Sequence, residues 1–172
     1  MAQALGAPVI AVVDVQRATS QCNACKTALA QLEGQLTGLR TLQSSLETPL
    51  RTEAASIQTA ATALAGKAPD AALQARATAF QKRQNDAQRQ LAAREQTFQR
   101  NRAYVLQQIS DKLNPVLASV MTRRGANVMF DAATVIQSAP GVDVTNDVIA
   151  ALNATLTSVA TTAPAQAAPT RR

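Results

Sequence analysis

The chain has 172 residues, a formal net charge of +6, no histidine, no tryptophan and an aromatic content of only 2%. Its 47% hydrophobic content is inflated by alanine, about a fifth of the sequence, so large core-filling side chains are scarce and the composition is that of long helices. With no histidine, no glycine-rich phosphate loop and no acidic pair at ligand spacing, nothing points to an enzyme or a metal site, and no apolar run approaches the ~18 residues of a transmembrane helix.

The opening residues Met1 to Pro8 hold no basic region followed by an apolar one, so no intact signal peptide is read there. Val9 to Val15 (VIAVVDV) is brief, β-branched and bounded by Pro8, which predicts a strand. The run is apolar on both faces, so cover is expected on both sides. A first long helix is expected from about Ala18 to Ala65, with a seam of Leu29, Leu32, Leu36, Leu39, Leu42, Leu46, Leu50, Ile57, Ala61 and Leu64. Gly34, Gly38 and Pro49 weaken it, and a bend is expected just before Pro49. Gly66 to Asp70 (GKAPD) is the break: Gly66 fits a helix C-cap and Asp70 an N-cap. So short a connection makes the two helices antiparallel.

The second helix is the stretch around which the rest is organised. Leu73, Ala77, Phe80, Ala87, Leu91, Phe98, Val105, Ile109, Leu113, Val116 and Val120 follow heptad spacing, interrupted at Gln84, Arg94 and Arg102. Between Ala71 and Asn114 there is no proline or glycine, which allows about 44 residues of helix, about 65 Å long and more than the diameter of a small domain. A break is expected at Asn114–Pro115, with helix resuming from Val116 to Arg123 and stopping at Gly125. Ala126 to Asp131 (ANVMFD) reads as a second strand and Thr134 to Gln137 (TVIQ) as a third. After a turn at Pro140–Gly141, a last amphipathic helix begins with Thr145 as N-cap and Asp147 in its first turn. The remainder is rich in alanine, threonine and proline and is expected to be disordered.

The expected fold class is therefore α+β. Residues 8–22 together with 114–160 form a small β-rich body, residues 23–113 an antiparallel coiled-coil hairpin with its tip near 66–70, and residues 161–172 a free tail. Three short strands and one helix make a poor core. The body is therefore expected to complete itself with other copies through Val9, Ile10, Val12, Val13, Val128, Met129, Phe130, Val135 and Ile136, which would also cover its strand edges.

The order strand, long helical hairpin, strand, strand, helix resembles the OmpH/Skp family of periplasmic chaperones. The matching blocks are Val9 to Val15, Asn127 to Ala132 (NVMFDA) and Asp143 to Ile149 (DVTNDVI). The resemblance implies a periplasmic homotrimer whose β-rich body carries three helical arms around a basic cavity. Family members hold unfolded outer-membrane proteins there without ATP, so no catalytic residue and no cofactor is expected. It also implies a basic patch facing anionic lipid or lipopolysaccharide; Lys82, Arg83 and Arg89 lie in the corresponding arm, with no residue-by-residue match. Cys22, Cys25 and the Pro/Ala-rich tail depart from the family.

Between residues 66 and 112 there are nine basic and four acidic residues, and such a face attracts anionic partners. The client-binding candidates are Arg76, Lys82, Arg83, Arg89, Arg94, Arg100, Arg102 and Tyr104, the last lying off the seam. Phe80, Leu91 and Phe98 read as seam packing. The plainer alternative is that arginine and glutamine simply solvate an exposed helix. A scaffold bridging folded partners or an anionic membrane surface is the competing function. A nucleic-acid partner is not expected, because stacking aromatics and a recognition module are absent. Cys22-Asn-Ala-Cys25 leaves four readings open: a local disulfide, two small apolar residues, an inter-chain pairing or a redox dithiol. Zinc would need further ligands that the chain lacks.

Overall fold

The computed structural model describes residues 6–165. Most of the Met1–Pro8 opening, and residues 166–172 of the expected tail, lie outside the described residues. The elements are β1 (Ile10–Val13), α1 (Val15–Gln21), α2 (Asn23–Ala63), α3 (Ala71–Arg123), β2 (Val128–Asp131) and α4 (Thr145–Thr155). Two compact units result, one made of residues 1–32 and 101–172 and the other of residues 33–100, called here the terminal unit and the hairpin unit. The division falls further along both long helices than the sequence suggests, because the first turns of α2 and the last half of α3 pack with the chain ends.

In the terminal unit β1 and β2 run parallel, in register from Ile10 against Val128 to Val13 against Asp131. Parallel neighbours need a crossover connection, and here the crossover is the whole α2–α3 excursion. On its other edge β1 is met by Asp143, and the Val144 amide donates to the Val12 carbonyl at 2.9 Å. Ala11, Val12 and Val13 are buried accordingly, but Val9 and Ile10 are about half exposed. The expected cover on both faces therefore applies only to the second half of the strand.

The third strand expected over Thr134 to Gln137 does not form. Asp131 caps a 3-10 turn at Ala132–Thr134, its carboxylate accepting from the Ala133 amide, and the chain leaves the sheet. Val135 is half-buried and Ile136 fully exposed. The Asp143–Val144 segment takes the position a third strand would have occupied, so the body is less β-rich than expected.

Local capping explains where the helices begin and end. Asp14 accepts from the Arg17 amide at 2.7 Å and starts α1. Asp70 accepts from the Leu73 amide at 2.8 Å and starts α3. Ala65 and Gly66, at φ 47° and 89°, end α2 in the left-handed region, and Gly125, at φ 67°, ends α3. For α4 the N-cap is Val144, one residue before the expected Thr145, and it offers no side-chain cap bond. Asp143 before it accepts from both the amide and the hydroxyl of Thr145, and Thr145 Oγ in turn accepts from the Asp14 amide at 2.9 Å.

Two prolines test the sequence reading. Pro49 lies inside α2 and Pro115 inside α3, and neither ends its helix. The expected break at Asn114–Pro115 is overridden because Leu113, Val116 and Val120 on either side are buried. Packing of that stripe outweighs one missing amide hydrogen bond.

The terminal unit also has a better core than three strands and a helix would provide. Val13, Val105, Val120, Val148 and Leu152 are almost completely buried, and Ile109, Leu113 and Leu156 join them. The long helices supply much of this core. In the first turns of α2 the inward face is Ala24, Cys25, Ala28 and Leu32, while Leu29, expected in the seam, is 39% exposed.

Candidate functional site: the cationic helix α3

The hairpin unit pairs α2 and α3 through a thin seam. Leu36, Leu39, Leu42, Leu46 and Leu50 face it half-buried from α2, and Leu73, Phe80, Gln84, Leu91 and Phe98 do so from α3. Ala77, expected there, is exposed, and Arg76 takes its place. Among the described residues of this unit only Ala87 is buried.

Helical spacing of about 100° per residue sorts the basic candidates of this unit into two lines. Arg76, Arg83 and Arg94 form one, beside the seam. Lys82, Arg89 and Arg100 form the other, about 120° round the helix from it. The seam-side line is partly tied down. The Arg76 guanidinium grips Glu53 through Nε at 2.8 Å and a second nitrogen at 3.3 Å, and donates to Ser56 Oγ at 2.7 Å. Arg83 stands 3.7 Å from the same carboxylate. The hydrogen bond from Arg76, followed by the charges of Arg76 and Arg83, holds the Glu53 carboxyl below its ordinary range, and the same bond raises Arg76 further. Arg89 pairs with Asp86 one turn earlier.

Lys82, Arg94, Arg100 and, in the terminal unit, Arg102 have no carboxylate within ion-pair distance among the described residues. Lys82, Arg94 and Arg102 are exposed, whereas Arg100 is half-buried with its Nε enclosed and unpartnered. Beside Arg83, Leu46, Pro49, Leu50 and Ala87 floor a hollow of about 260 Å³ in the hairpin unit. Glu53, Asp86 and Gln90 complete its rim, so the hollow is apolar at its floor and of mixed charge at its edge. Tyr104, in the terminal unit, is half-buried rather than projecting.

Charge count does not separate the units. The hairpin unit holds nine basic and six acidic residues and the terminal unit eight and five, so each carries +3. Both units use acids in caps and pairs: in the hairpin unit Asp70 caps α3, Glu53 holds Arg76 and Asp86 pairs with Arg89. In the terminal unit Asp14 and Asp131 cap turns, Asp143 lies 3.5 Å from Arg17, and Asp147 binds Arg124 at 2.6 Å. Hydrogen bonds from the Thr145 hydroxyl and amide, with a smaller contribution from Arg17, hold the Asp143 carboxyl below its ordinary range.

Cys22 and Cys25 are joined to each other by a disulfide, and both are completely buried at the α1–α2 junction. No inter-chain thiol is left over. Among the described residues no group of side chains is arranged to hold a metal ion, and no helix is long and apolar enough to cross a membrane.

The sequence reading missed the residues that hold the C-terminal segment. Asn101, at 5% exposure, sits in the α3 seam between Phe98 and Val105, and its side-chain oxygen accepts from the Ala163 amide at 2.9 Å. The Gln108 amide pairs with both main-chain groups of Ala160, and Thr161 donates to Gln31 at 2.7 Å. Thr161 and Ala163 are therefore fastened rather than part of a free tail. A polar residue at a seam position was the available signal.

Residues 9–152 match the family described as outer membrane protein (OmpH-like). The chain belongs to the OmpH-like family. A solved structure of a candidate outer membrane chaperone (OmpH-like) from Caulobacter crescentus has the same fold, with a TM-score of 0.72 and 21% identity over 93% of this chain and 92% of that one. No curated protein matches the chain. The OmpH-like span includes β1, both long helices, β2 and most of α4, but ends before the fastened residues Ala160 to Ala163.

Proposed function

We propose that this OmpH-like protein is a periplasmic holdase chaperone that captures unfolded outer-membrane proteins without ATP and keeps them from aggregating. The observation that carries this reading is the family match over residues 9–152. The cations of α3 that lack an acidic neighbour support it. Long-range attraction speeds capture of acidic chains, and the alkyl stems of Lys82, Arg94, Arg100 and Arg102 add apolar contact. Three copies would act together, joined through Val9, Ile10, Phe130 and Ile136, which are apolar and exposed in the single chain. The line of Lys82 and Arg89 would also attract anionic lipid or lipopolysaccharide.

The test is light scattering from an unfolded β-barrel protein diluted out of denaturant. The protein is expected to suppress aggregation at about one trimer per client, and less as added salt shortens the screening length to about 3 Å at 1 M. Failure to suppress at any salt concentration, with binding to a folded partner instead, would favour a scaffold.

A further inference from the structure

Three side-chain amides of the terminal unit, on α2 and α3, hold the chain's own C-terminal segment, and the hydrogen bonds to Ala160 and Ala163 are to main-chain atoms. Gln108 presents its oxygen to the Ala160 amide at 3.0 Å and its nitrogen to the Ala160 carbonyl at 2.8 Å, as a neighbouring strand would. Asn101 accepts from the Ala163 amide at 2.9 Å. From Asn101 to Gln108 the helix rises about 10.5 Å, close to the reach of three residues of open chain, so two turns of helix catch main-chain groups three residues apart. Thr161 Oγ also donates to the Gln31 side-chain oxygen. A site that reads backbone rather than side chains accepts any polypeptide that is not already hydrogen bonded to itself.

Part of the hold on the present occupant is open to solvent. Its bonds to Gln108 and Gln31 are exposed to water, which replaces them at small net cost. Its side chains at Ala160, Thr161, Thr162 and Ala163 are small and contribute little apolar burial. Pro164 follows with no amide hydrogen to extend the row.

We propose that Asn101 and Gln108, flanked by Gln31, form a main-chain-reading site closed in cis by Ala160–Ala163, and that a segment of an unfolded polypeptide replaces this strap when a client is held. This rests on the holdase reading and adds to it a sequence-independent contact distinct from the cations of α3. A strap that occupies its own site most of the time lowers the apparent affinity for a client by the fraction of time the site is open.

The experiment compares the full chain, a chain ending at Val159, and the full-length variant Ala163→Pro, which removes the amide that Asn101 holds and leaves the site intact. The probe is a dye-labelled β-barrel protein diluted from urea, read by fluorescence anisotropy. Both strap variants are expected to bind it about five- to tenfold more tightly than the full chain, and Gln108→Ala placed in the shortened chain to erase the gain. A synthetic peptide of residues 157–165 is expected to bind the shortened chain and to compete with the probe. Melting curves of both strap variants should show that they remain folded. Equal or weaker probe binding by Ala163→Pro at an unchanged melting temperature would overturn the proposal. So would failure of the peptide to bind the shortened chain. If the full chain captures the probe but the strap variants do no better, the strap proposal falls and the holdase reading stands. If no form captures the probe, the holdase reading falls and the strap proposal with it.

Discussion

In the terminal unit Val13, Val105, Val120, Val148 and Leu152 are almost fully withdrawn from water, whereas in the hairpin unit Ala87 alone is buried among the described residues. The two carry the same net charge. What separates them is how each uses apolar surface. The terminal unit closes a core around these side chains. The hairpin unit leaves its leucines half-wet along a two-helix seam.

The largest expected difference is in core truncation. Leu152→Ala should cost about 2–5 kcal/mol, since it empties a closed site. Leu46→Ala in the hairpin should cost only about 1 kcal/mol, because half of that side chain already faces water. Urea unfolding followed by circular dichroism measures both, and equal costs would break the comparison. Next in size is the disulfide. Replacing Cys22 and Cys25 together by alanine should cost about 2 kcal/mol, the loop-closure value for so short a ring. A thermal melt with and without reductant checks it, and wild type should lose stability only when the buried bond is opened.

A smaller effect of opposite sign belongs to the hairpin. A methyl group added at Gly34 or Gly38 meets nothing within 4 Å. Alanine at each should therefore stabilise α2 by about 0.5–1 kcal/mol through helix propensity. Differential scanning calorimetry should show the gain for the pair.

The smallest effect is acid sensitivity, present in both units for different reasons. Glu53 and Asp143 are held below their ordinary values of 4.5 and 3.8. In that window the unfolded chain binds more protons than the folded one, so the stabilisation is complete above the ordinary values and is lost as pH falls through the depressed ones. Both groups are partly exposed, so the slope is shallow. Melts between about pH 6 and about pH 2 should show Glu53→Gln flattening one part of it and Asp143→Asn the other.

The hairpin was the most legible part of the chain, because heptad spacing, Gly66 and Asp70 are local signals, although Ala61 and Ala77, expected in the seam, are exposed. The first strand was equally plain from its β-branched run, and the second from the short apolar run Val128 to Phe130. Errors arose where local preference met packing. Pro115 should break a helix, yet the buried flanks Leu113 and Val116 carry α3 through it. Thr134 to Gln137 has the residues of a strand, but the Asp131 carboxylate turns the chain first. Cys22–Cys25 could not be resolved by spacing alone, since disulfide, thiol pair and small core residues share one pattern. The basic candidates were visible as charges, while their partners Glu53, Ser56 and Asp86 emerged only when helix phase and pairing were known. The strap was hidden because its hydrogen bonds join residues 31, 101 and 108 to a segment that reads as low-complexity tail.

The most direct test of the account is aggregation of an unfolded β-barrel protein with wild type and with the Lys82→Gln, Arg94→Gln, Arg100→Gln, Arg102→Gln variant, at about 50 mM and about 500 mM salt. Wild type should suppress scattering well at low salt and poorly at high salt. The variant, with unchanged helicity, should need about ten times more protein to do the same at low salt. Equal suppression by the two proteins at both salt concentrations would contradict the assignment of client capture to the cations of α3.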